Sequence, residues 1–295
     1  MGCNCIIETP YPSYLNLYGA SKRIVFSRFI ELSCTLIISS LLIYQALNMM
    51  FLFLFITIYY FLTVSGNKNT ETTPLTSQAQ LTGGTFWYGT QLTIANKIIP
   101  NEAKDGASAR VKKTVKGFAI DNYAVSNAQF AIFVTETNYK TEAENYTWSF
   151  VLENLASEKV IKQVDGKRGY GRVKEATHWM AVPKASWKKP YGKDSPDVLS
   201  PELRDLPVVH VSYTDAERYC AWAGRRLPTE IEWEYAARGG RGKQNYPWGD
   251  QYTPNKMNIW EGKFPQKNTL KDGYLGPAPV TAYAPNDYGL YNMCG

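Results

Sequence analysis

Along the chain, short amphipathic segments follow hydroxyl residues that stand three positions before an acidic or amide side chain. This spacing is the capping box, in which the hydroxyl accepts a hydrogen bond from the third helical amide and the third side chain accepts one from the amide of the cap. Four such pairs predict four short helices: Ser126 with Gln129, Thr141 with Glu144, Thr214 with Glu217, and Thr229 with Glu232. The last two helices are predicted to end at Gly224 and Gly239, since glycine readily adopts the left-handed C-terminal conformation.

The strand signals are brief and irregularly spaced. Residues 81–90 combine an apolar run with a Gly-Gly turn, and residues 206–213 and 278–284 are short β-branched runs. The chain shows neither long periodic helices nor alternating strand–helix units, which argues against a helical bundle or a doubly wound sheet. The pattern therefore predicts an α+β domain with low regular secondary-structure content.

One long stretch, from Leu32 to Asn67, contains no charged residue. As a helix it would extend about 50 Å against a hydrocarbon core of about 30 Å, so one tilted span fits better than two. We therefore predict a cytoplasmic segment 1–31, a transmembrane or signal-anchor segment 32–66, a linker 67–79 and a domain 80–295. The basic residues Lys22, Arg23 and Arg28 precede the span and predict that the domain crosses the membrane. A cleaved signal peptide is the alternative.

Composition narrows the class of function. The net charge of +6 is modest, and the basic clusters at 112–116 and 167–174 lie in no nucleic-acid motif, so no nucleic-acid partner is predicted. The two histidines, His178 and His210, offer little material for a histidine metal centre or a Ser-His-Asp triad. Five cysteines with no C-x-x-C pair in the globular part argue against structural zinc.

Several sequence blocks carry a family resemblance. They are DLPVVHVSYTDAERYCAWAGRRLPTEIEWEYAARGG, YPWGD, NIWEGKFP and DYGLYN, preceded by GGTFWYGT, FAIDNYAVSNAQFAIFV and NYKTEAENYTWSFV. From about residue 80 to the last residue the chain resembles the formylglycine-generating enzyme family, the sulfatase-modifying factors. The resemblance implies a C-type-lectin-like α+β fold in the endoplasmic reticulum lumen. Catalytic members oxidise a sulfatase cysteine in a Cys-x-Pro-x-Arg motif to formylglycine with oxygen and copper, which two cysteines hold because thiolates are soft ligands.

The resemblance also implies calcium as a cofactor, with copper only in catalytic full-length relatives. In the first calcium site, Asn258 and Asp272 would supply side-chain oxygens, and Ile259 and Tyr274 would supply backbone carbonyls, as a hard cation prefers. From the residues alone, the same loop is a plain turn. A second site would use Asn292 and Gly295, with its remaining ligands beyond residue 295.

The cysteines of this chain depart from the family pattern. The copper-binding pair of the family lies beyond the Gly-Leu-Tyr-Asn block, and Cys294 does not fill its place, so no catalytic residue is predicted. The resemblance makes Cys220 a disulfide candidate, because it matches a family cysteine whose partner lies near the C-terminus. That partner has no match in this sequence, so we expect a free thiol here. A second disulfide cysteine of the catalytic enzyme matches Ala236 or Ala237 here, so that second bridge cannot form. Asn145, in an Asn-Tyr-Thr sequon, is a glycosylation candidate on a lumenal surface loop.

The family contains a catalytic member and a paralogue that lacks the cysteine pair and restrains the catalytic one. Trp148 resembles the residue at this position in the paralogue, the sulfatase-modifying factor 2 type. The animal enzyme has an aspartate at this position, beside the substrate. We therefore expect a C-terminally incomplete, poorly stable domain without oxidase activity that binds sulfatases or the formylglycine-generating enzyme. The alternatives are a fragment of an active oxidase and a lectin-like binding domain on a membrane anchor.

Overall fold

The computed structural model describes residues 6–7, 77–89, 93–94, 97–98, 110–166 and 170–295. They all belong to one of the two units into which the chain divides, residues 1–10 with 74–295. The predicted segment 32–66 and most of the predicted linker 67–79 lie outside the described residues. Among the helices of the described part, none combines the length and the apolar character that a membrane crossing requires.

The regular elements are short. The helices are α1 Asn127–Thr137, α2 Glu142–Tyr146, α3 Glu158–Asp165, α4 Tyr213–Trp222 and α5 Glu230–Arg238, with a 3-10 helix at Glu153–Leu155. The strands are β1 Ile6–Ile7, β2 Gln78–Leu81, β3 Gly84–Tyr88, β4 Thr93–Ile94, β5 Lys97–Ile98, β6 Val111–Val115, β7 Phe118–Asp121, β8 Trp148–Leu152, β9 Arg172–Val173, β10 Ala176–Pro183, β11 Gly262–Lys263 and β12 Lys267–Asn268. The predicted mixture of short helices and strands is confirmed.

Two three-stranded antiparallel sheets organise the described residues, in the orders β1–β7–β2 and β8–β10–β9. Strand β7 is the centre of the first sheet and is buried along its whole length. Its Ile120 packs in an apolar cluster with Tyr235 of α5 and Leu290. In the second sheet, Met180 of β10 packs in a separate cluster with Val164 of α3. A third cluster, which includes residues of α1 and α4, lies around the buried Trp187.

Serine and threonine side chains cap the N-termini of the helices. The predicted caps Ser126, Thr141 and Thr229 are confirmed as complete capping boxes with their third residues. The predicted C-terminal glycines are confirmed by φ values of +70° at Gly224 and +58° at Gly239.

The predicted cap of α4, Thr214 with Glu217, is wrong. The helix begins at Tyr213 and is capped by Ser212 with Asp215. Asp215 is fully buried, whereas Glu217 is exposed, so tertiary packing selects the earlier of two overlapping capping patterns.

The strand predictions have a mixed outcome. The strand and turn predicted at 81–90 are confirmed, since β2 and β3 meet at Gly83, where a Cβ would lie 2.4 Å from the Val115 carbonyl oxygen. Strand β2 begins at Gln78, before the predicted domain start at residue 80. The strands predicted at 206–213 and 278–284 are wrong. Left-handed φ values of +59° at His210 and +63° at Tyr283 interrupt an extended backbone there.

The N-terminal strand β1 pairs with the central strand of the first sheet. Ile6 pairs with Ile120 and Ile7 with Ala119 of β7, in antiparallel register. Residues 6 and 7 are therefore part of the first sheet of the domain. The predicted division into segments 1–31, 32–66, 67–79 and 80–295 remains a prediction.

Replacing Asp215 with alanine should lower the free energy of unfolding by about 3 kcal/mol, because buried donors lose their acceptor and α4 loses its cap. The matched control is Glu217→Ala on the exposed face of the same helix, for which we expect a change below about 0.5 kcal/mol. Urea unfolding measures both variants. An equal loss in the two variants would contradict the assignment of Asp215, rather than Glu217, to the cap.

Candidate functional site

A surface cleft of about 310 Å³ lies between α2, the start of β8 and the segment that precedes α4. It is lined by Glu142, Ala143, Tyr146, Trp148, Ser149, Phe150, His210, Val211 and Ser212. The walls of the cleft come from segments that are far apart in the sequence, so tertiary hydrogen bonds must hold them together. Two side chains, Asp215 and His210, provide these bonds.

The buried carboxylate of Asp215 joins α2 to α4. Its Oδ1 accepts hydrogen bonds from the Tyr139 hydroxyl at 2.8 Å and the Glu142 amide at 3.2 Å, and its Oδ2 accepts one from the Ser212 amide at 2.8 Å. Burial and the bond to Asp215 raise the pKa of Tyr139 to about 12, so its hydroxyl remains a donor at neutral pH. Asp215 thus fixes the start of α2 against the start of α4.

The imidazole of His210 joins the segment before α4 to β8. Nδ1 lies 2.9 Å from the Ser149 hydroxyl, and Nε2 lies 2.8 Å from the Pro190 carbonyl oxygen. Because that carbonyl only accepts, Nε2 carries the proton, and Nδ1 accepts from Ser149 when the ring is neutral. Burial lowers the pKa of His210, which favours this neutral form. The ring therefore acts as a positioning group for β8.

Aromatic side chains line one part of the cleft and continue beyond it. Trp148 packs edge to face on Phe150 with ring centroids 5.0 Å apart, and its centroid lies 6.1 Å from that of Tyr170. In β8 and β10, Trp179 pairs with Leu152 and Ala181 with Phe150, so these side chains share one face of the sheet. We name Tyr146, Trp148, Phe150, Tyr170 and Trp179 the aromatic face.

The aromatic face is open to solvent. Exposed fractions are 67% for Tyr146, 44% for Phe150, 54% for Tyr170 and 40% for Trp179, while Trp148 is half-buried. Single exposed apolar residues are ordinary, but contiguous exposed aromatic groups on a rigid sheet are typical of interaction surfaces. Sequence reasoning singled out Trp148 alone, because the strand pairing that adds Trp179 and the chain path that adds Tyr170 cannot be read from local spacing.

The structure brings the four residues of the first predicted calcium site together. Asp272 is buried; its Oδ2 accepts from the Ile259 amide at 3.0 Å and its Oδ1 from the Tyr274 amide at 3.1 Å. The side-chain amide of Asn258 donates to the Gly276 carbonyl at 2.9 Å. Asp272 therefore closes the loop by joining the backbone at Ile259 to the backbone at Tyr274.

Of the two residues of the second predicted calcium site, Gly295 lies beside the first site. A Cβ on Gly295 would lie 2.7 Å from the Asn258 carbonyl oxygen, so the two backbones are in contact. Asn292 donates to the Val280 carbonyl at 3.0 Å, while its buried Oδ1 accepts no hydrogen bond from the described residues. A buried acceptor without a donor fits the chemistry of a cation ligand. The described residues hold no cluster of three or more His, Cys, Asp or Glu side chains, so backbone and amide oxygens would dominate such a site.

The remaining residues singled out from the sequence are Cys220, Ala236, Ala237 and Asn145. Cys220 is disulfide-bonded, which confirms it as a disulfide candidate, whereas the expectation of a free thiol is wrong; its partner lies outside the described residues. Ala236 and Ala237 are buried in α5. Asn145 is exposed, on the short helix α2 rather than on a loop, and its glycosylation remains a prediction.

Comparison with known proteins gives the family. The sequence profile of the family described as "Sulfatase-modifying factor enzyme 1-like domain" matches residues 64–295. The mouse "Inactive C-alpha-formylglycine-generating enzyme 2" is 45% identical over 221 residues, 74% of this chain and 66% of that protein. The mouse "Formylglycine-generating enzyme" is 44% identical over 224 residues, 75% of this chain and 56% of that protein. The Thermomonospora curvata protein of the same name is 51% identical over 182 residues, 60% of this chain and 57% of that protein.

These relatives are similar to the chain over most of its domain, and the match spans between about half and two thirds of their own lengths. The identities to relatives named inactive and to relatives named as the enzyme are too close to separate the two branches. The profile match covers far more than half of the chain. The chain therefore belongs to the formylglycine-generating enzyme, or sulfatase-modifying factor, family.

Proposed function

We propose that this protein acts in sulfatase maturation as a binding module that recognises sulfatases or the formylglycine-generating enzyme through its aromatic face. The observation that carries the proposal is the position of Trp148, between the cleft and the exposed rings of Phe150 and Tyr170. In the animal enzyme the matching position is an aspartate beside the substrate, so the same place would here bind an apolar group.

The energetics of this surface favour binding. Trp and Tyr have few rotatable bonds, so fixing them in a complex costs little conformational entropy, and they are enriched at binding hot spots. Ser149, which follows Trp148, is held by His210, and Glu142 at the start of α2 is held by Asp215. The aromatic face is thus preorganised before a partner arrives, which reduces the cost of association.

An active oxidase is the second candidate, favoured by the 51% identity to the Thermomonospora curvata formylglycine-generating enzyme. When bound, copper would supply the oxygen chemistry through two thiolates. In the described residues Cys220 is disulfide-bonded and Cys294 is the one free cysteine, so these residues do not fit a two-thiolate copper site. The oxidase candidate predicts conversion of a Cys-x-Pro-x-Arg peptide by the copper-loaded full chain, whereas the binding module predicts binding without conversion.

The proposal includes a cellular compartment, the lumen of the endoplasmic reticulum, and a cofactor, calcium. The lumen of the endoplasmic reticulum is an oxidising compartment, and a disulfide-bonded Cys220 fits such a compartment. The uncharged segment 32–66 would attach the protein to the membrane. Calcium would be held by Asn258, Ile259, Asp272 and Tyr274, and a second site would use Asn292 and Gly295.

Truncating Trp148 tests the binding surface. We expect Trp148→Ala to weaken binding of the full chain to a sulfatase Cys-x-Pro-x-Arg peptide or to the formylglycine-generating enzyme about 30-fold, which corresponds to a hot spot of about 2 kcal/mol. Biolayer interferometry measures the affinity for each partner. The control is Leu199→Ala, an exposed apolar side chain outside the aromatic face, for which the affinity should change less than about twofold.

Two outcomes would contradict the proposed surface. One is an unchanged affinity in Trp148→Ala, and the other is the absence of binding of either partner to the wild-type chain. Circular dichroism and urea unfolding of both variants separate a loss of contact from a loss of fold.

Calcium should stabilise the domain through Asp272. At a calcium concentration of about 100 times the dissociation constant, the free energy of unfolding should rise by about 2.7 kcal/mol relative to chelator. In Asp272→Asn, which keeps the size of the side chain but loses its charge, we expect most of this rise to disappear. The matched control Asp194→Asn removes a carboxylate from an exposed pair with Lys159 and should keep the full rise. Thermal unfolding with calcium and with chelator measures the difference, and a calcium effect that survives in Asp272→Asn would exclude this site.

A further inference from the structure

Strand β8 forms one edge of the second sheet, because the strand order is β8–β10–β9. An edge strand presents unpaired amide and carbonyl groups, which proteins commonly protect with charged side chains, proline or bulges. At the opposite edge, Arg172 of β9 carries such a charge and forms ion pairs with Glu153 and Asp165. The five residues of β8 include no charge and no proline, and their register with β10 has no bulge. The edge of β8 is therefore unprotected.

The register with β10 shows which main-chain groups of β8 face outward. Trp148 lies opposite Pro183, which has no amide proton. Phe150 lies opposite Ala181, whose amide donates to the Gly171 carbonyl oxygen at 3.0 Å, on the β9 side of β10. In an antiparallel ladder, hydrogen-bonded pairs alternate with pairs whose main-chain groups point away from each other. The amide and carbonyl groups of Trp148 and Phe150 therefore point away from β10.

These outward groups have no hydrogen-bond partner in the part of the chain that the structure describes. Since main-chain donors and acceptors need a partner, they must meet either water or a bound molecule. The two residues are two positions apart, so their groups repeat about every 7 Å along the strand. Amide and carbonyl groups with this repeat match the main chain of another extended polypeptide, which is the basis of strand addition.

The cleft of about 310 Å³ runs along this edge. Trp148, Ser149 and Phe150 all line it. Successive residues of a strand point to opposite faces, so a cleft over one face would be lined by alternate residues only. A cleft that is lined by three residues in succession lies beside the edge of the strand. The space that an added strand requires is thus already open.

The side chains of the cleft define the kind of segment that fits. Glu142 is the one carboxylate among the lining residues, and no lysine or arginine lines the cleft. Burial lowers the pKa of His210, which favours its neutral form, so the cleft has a negative charge next to aromatic rings. Charge complementarity favours a segment with a cationic side chain among apolar ones. A sulfatase segment with the Cys-x-Pro-x-Arg motif has this chemistry.

We propose that the outer edge of β8 binds an extended segment of the sulfatase as a fourth strand of the second sheet. Main-chain hydrogen bonds to Trp148 and Phe150 supply affinity, while the aromatic face and Glu142 contact the side chains of the segment. This inference rests on the proposed function and adds the mode of binding to it.

Replacing Phe150 with proline tests the main-chain contact from the side of the protein. Proline removes the outward amide proton and spares the ladder with β10, since edge strands accept proline where the amide faces solvent. The matched control Phe150→Ala also removes the ring but keeps the amide. For a sulfatase Cys-x-Pro-x-Arg peptide, we expect the full chain with Phe150→Pro to bind about tenfold more weakly than the chain with Phe150→Ala, as measured by biolayer interferometry. Equal affinities of the two variants would overturn the inference.

Methylation of the peptide main chain is a second test, and it requires no change in the protein. Alternate residues of an added strand turn their main chain toward β8. The proline of the motif has no amide proton to donate, so its two neighbours must be the residues that face β8. N-methylation of either x residue should weaken binding about tenfold, whereas N-methylation of the cysteine or the arginine should change it less than about twofold.

The outcomes separate this inference from the proposed function. If the peptide binds but methylation has the same effect at all four positions, or no effect at any, strand addition is rejected and the proposed function stands. Binding of the folded formylglycine-generating enzyme without binding of the peptide would likewise reject strand addition by a sulfatase segment. Absence of binding of both partners would contradict the proposed function itself.

Discussion

The buried carboxylate of Asp215 is the interaction on which the candidate site depends. It accepts hydrogen bonds from the Tyr139 hydroxyl, the Glu142 amide and the Ser212 amide, so it fixes the segment after α1 and the starts of α2 and α4 at one point. An unpaired carboxylate at this depth would be costly, and the three donors are what make its burial tolerable. Trp148 follows α2 by two residues, and its position follows from this bond.

The second constraint is the set of left-handed residues that redirect the chain between elements. Thr147, with a φ of +65°, ends α2 and allows Trp148 to begin β8, and His210, with a φ of +59°, turns the chain into the cap of α4. His210 also holds Ser149 of β8. Short elements joined in this way leave one face of the second sheet uncovered, and that face carries the aromatic side chains. Among the functions that such a surface could have, the contacts favour binding.

Much of this arrangement was predictable from the sequence, and the failures have physical causes. Capping boxes are local, so Ser126, Thr141 and Thr229 could be predicted from spacing alone. The cap of α4 was missed because Ser212–Asp215 and Thr214–Glu217 are both valid patterns, and the choice is made by the burial of Asp215 against Tyr139. The strand predicted at 206–213 failed because one left-handed residue, His210, outweighs the β-propensity of its neighbours. The disulfide of Cys220 was missed because no local pattern around Cys220 indicates a bond to a cysteine elsewhere in the chain.

Hydrogen–deuterium exchange of the full chain, with and without the formylglycine-generating enzyme or a sulfatase Cys-x-Pro-x-Arg peptide, tests the central claim most directly. If the aromatic face is the binding surface, amides in residues 142–150 and 208–212 should exchange more slowly in the complex, together with those of β10 near Trp179. Protection confined to other regions, such as residues 258–274, with these segments unchanged, would contradict the account.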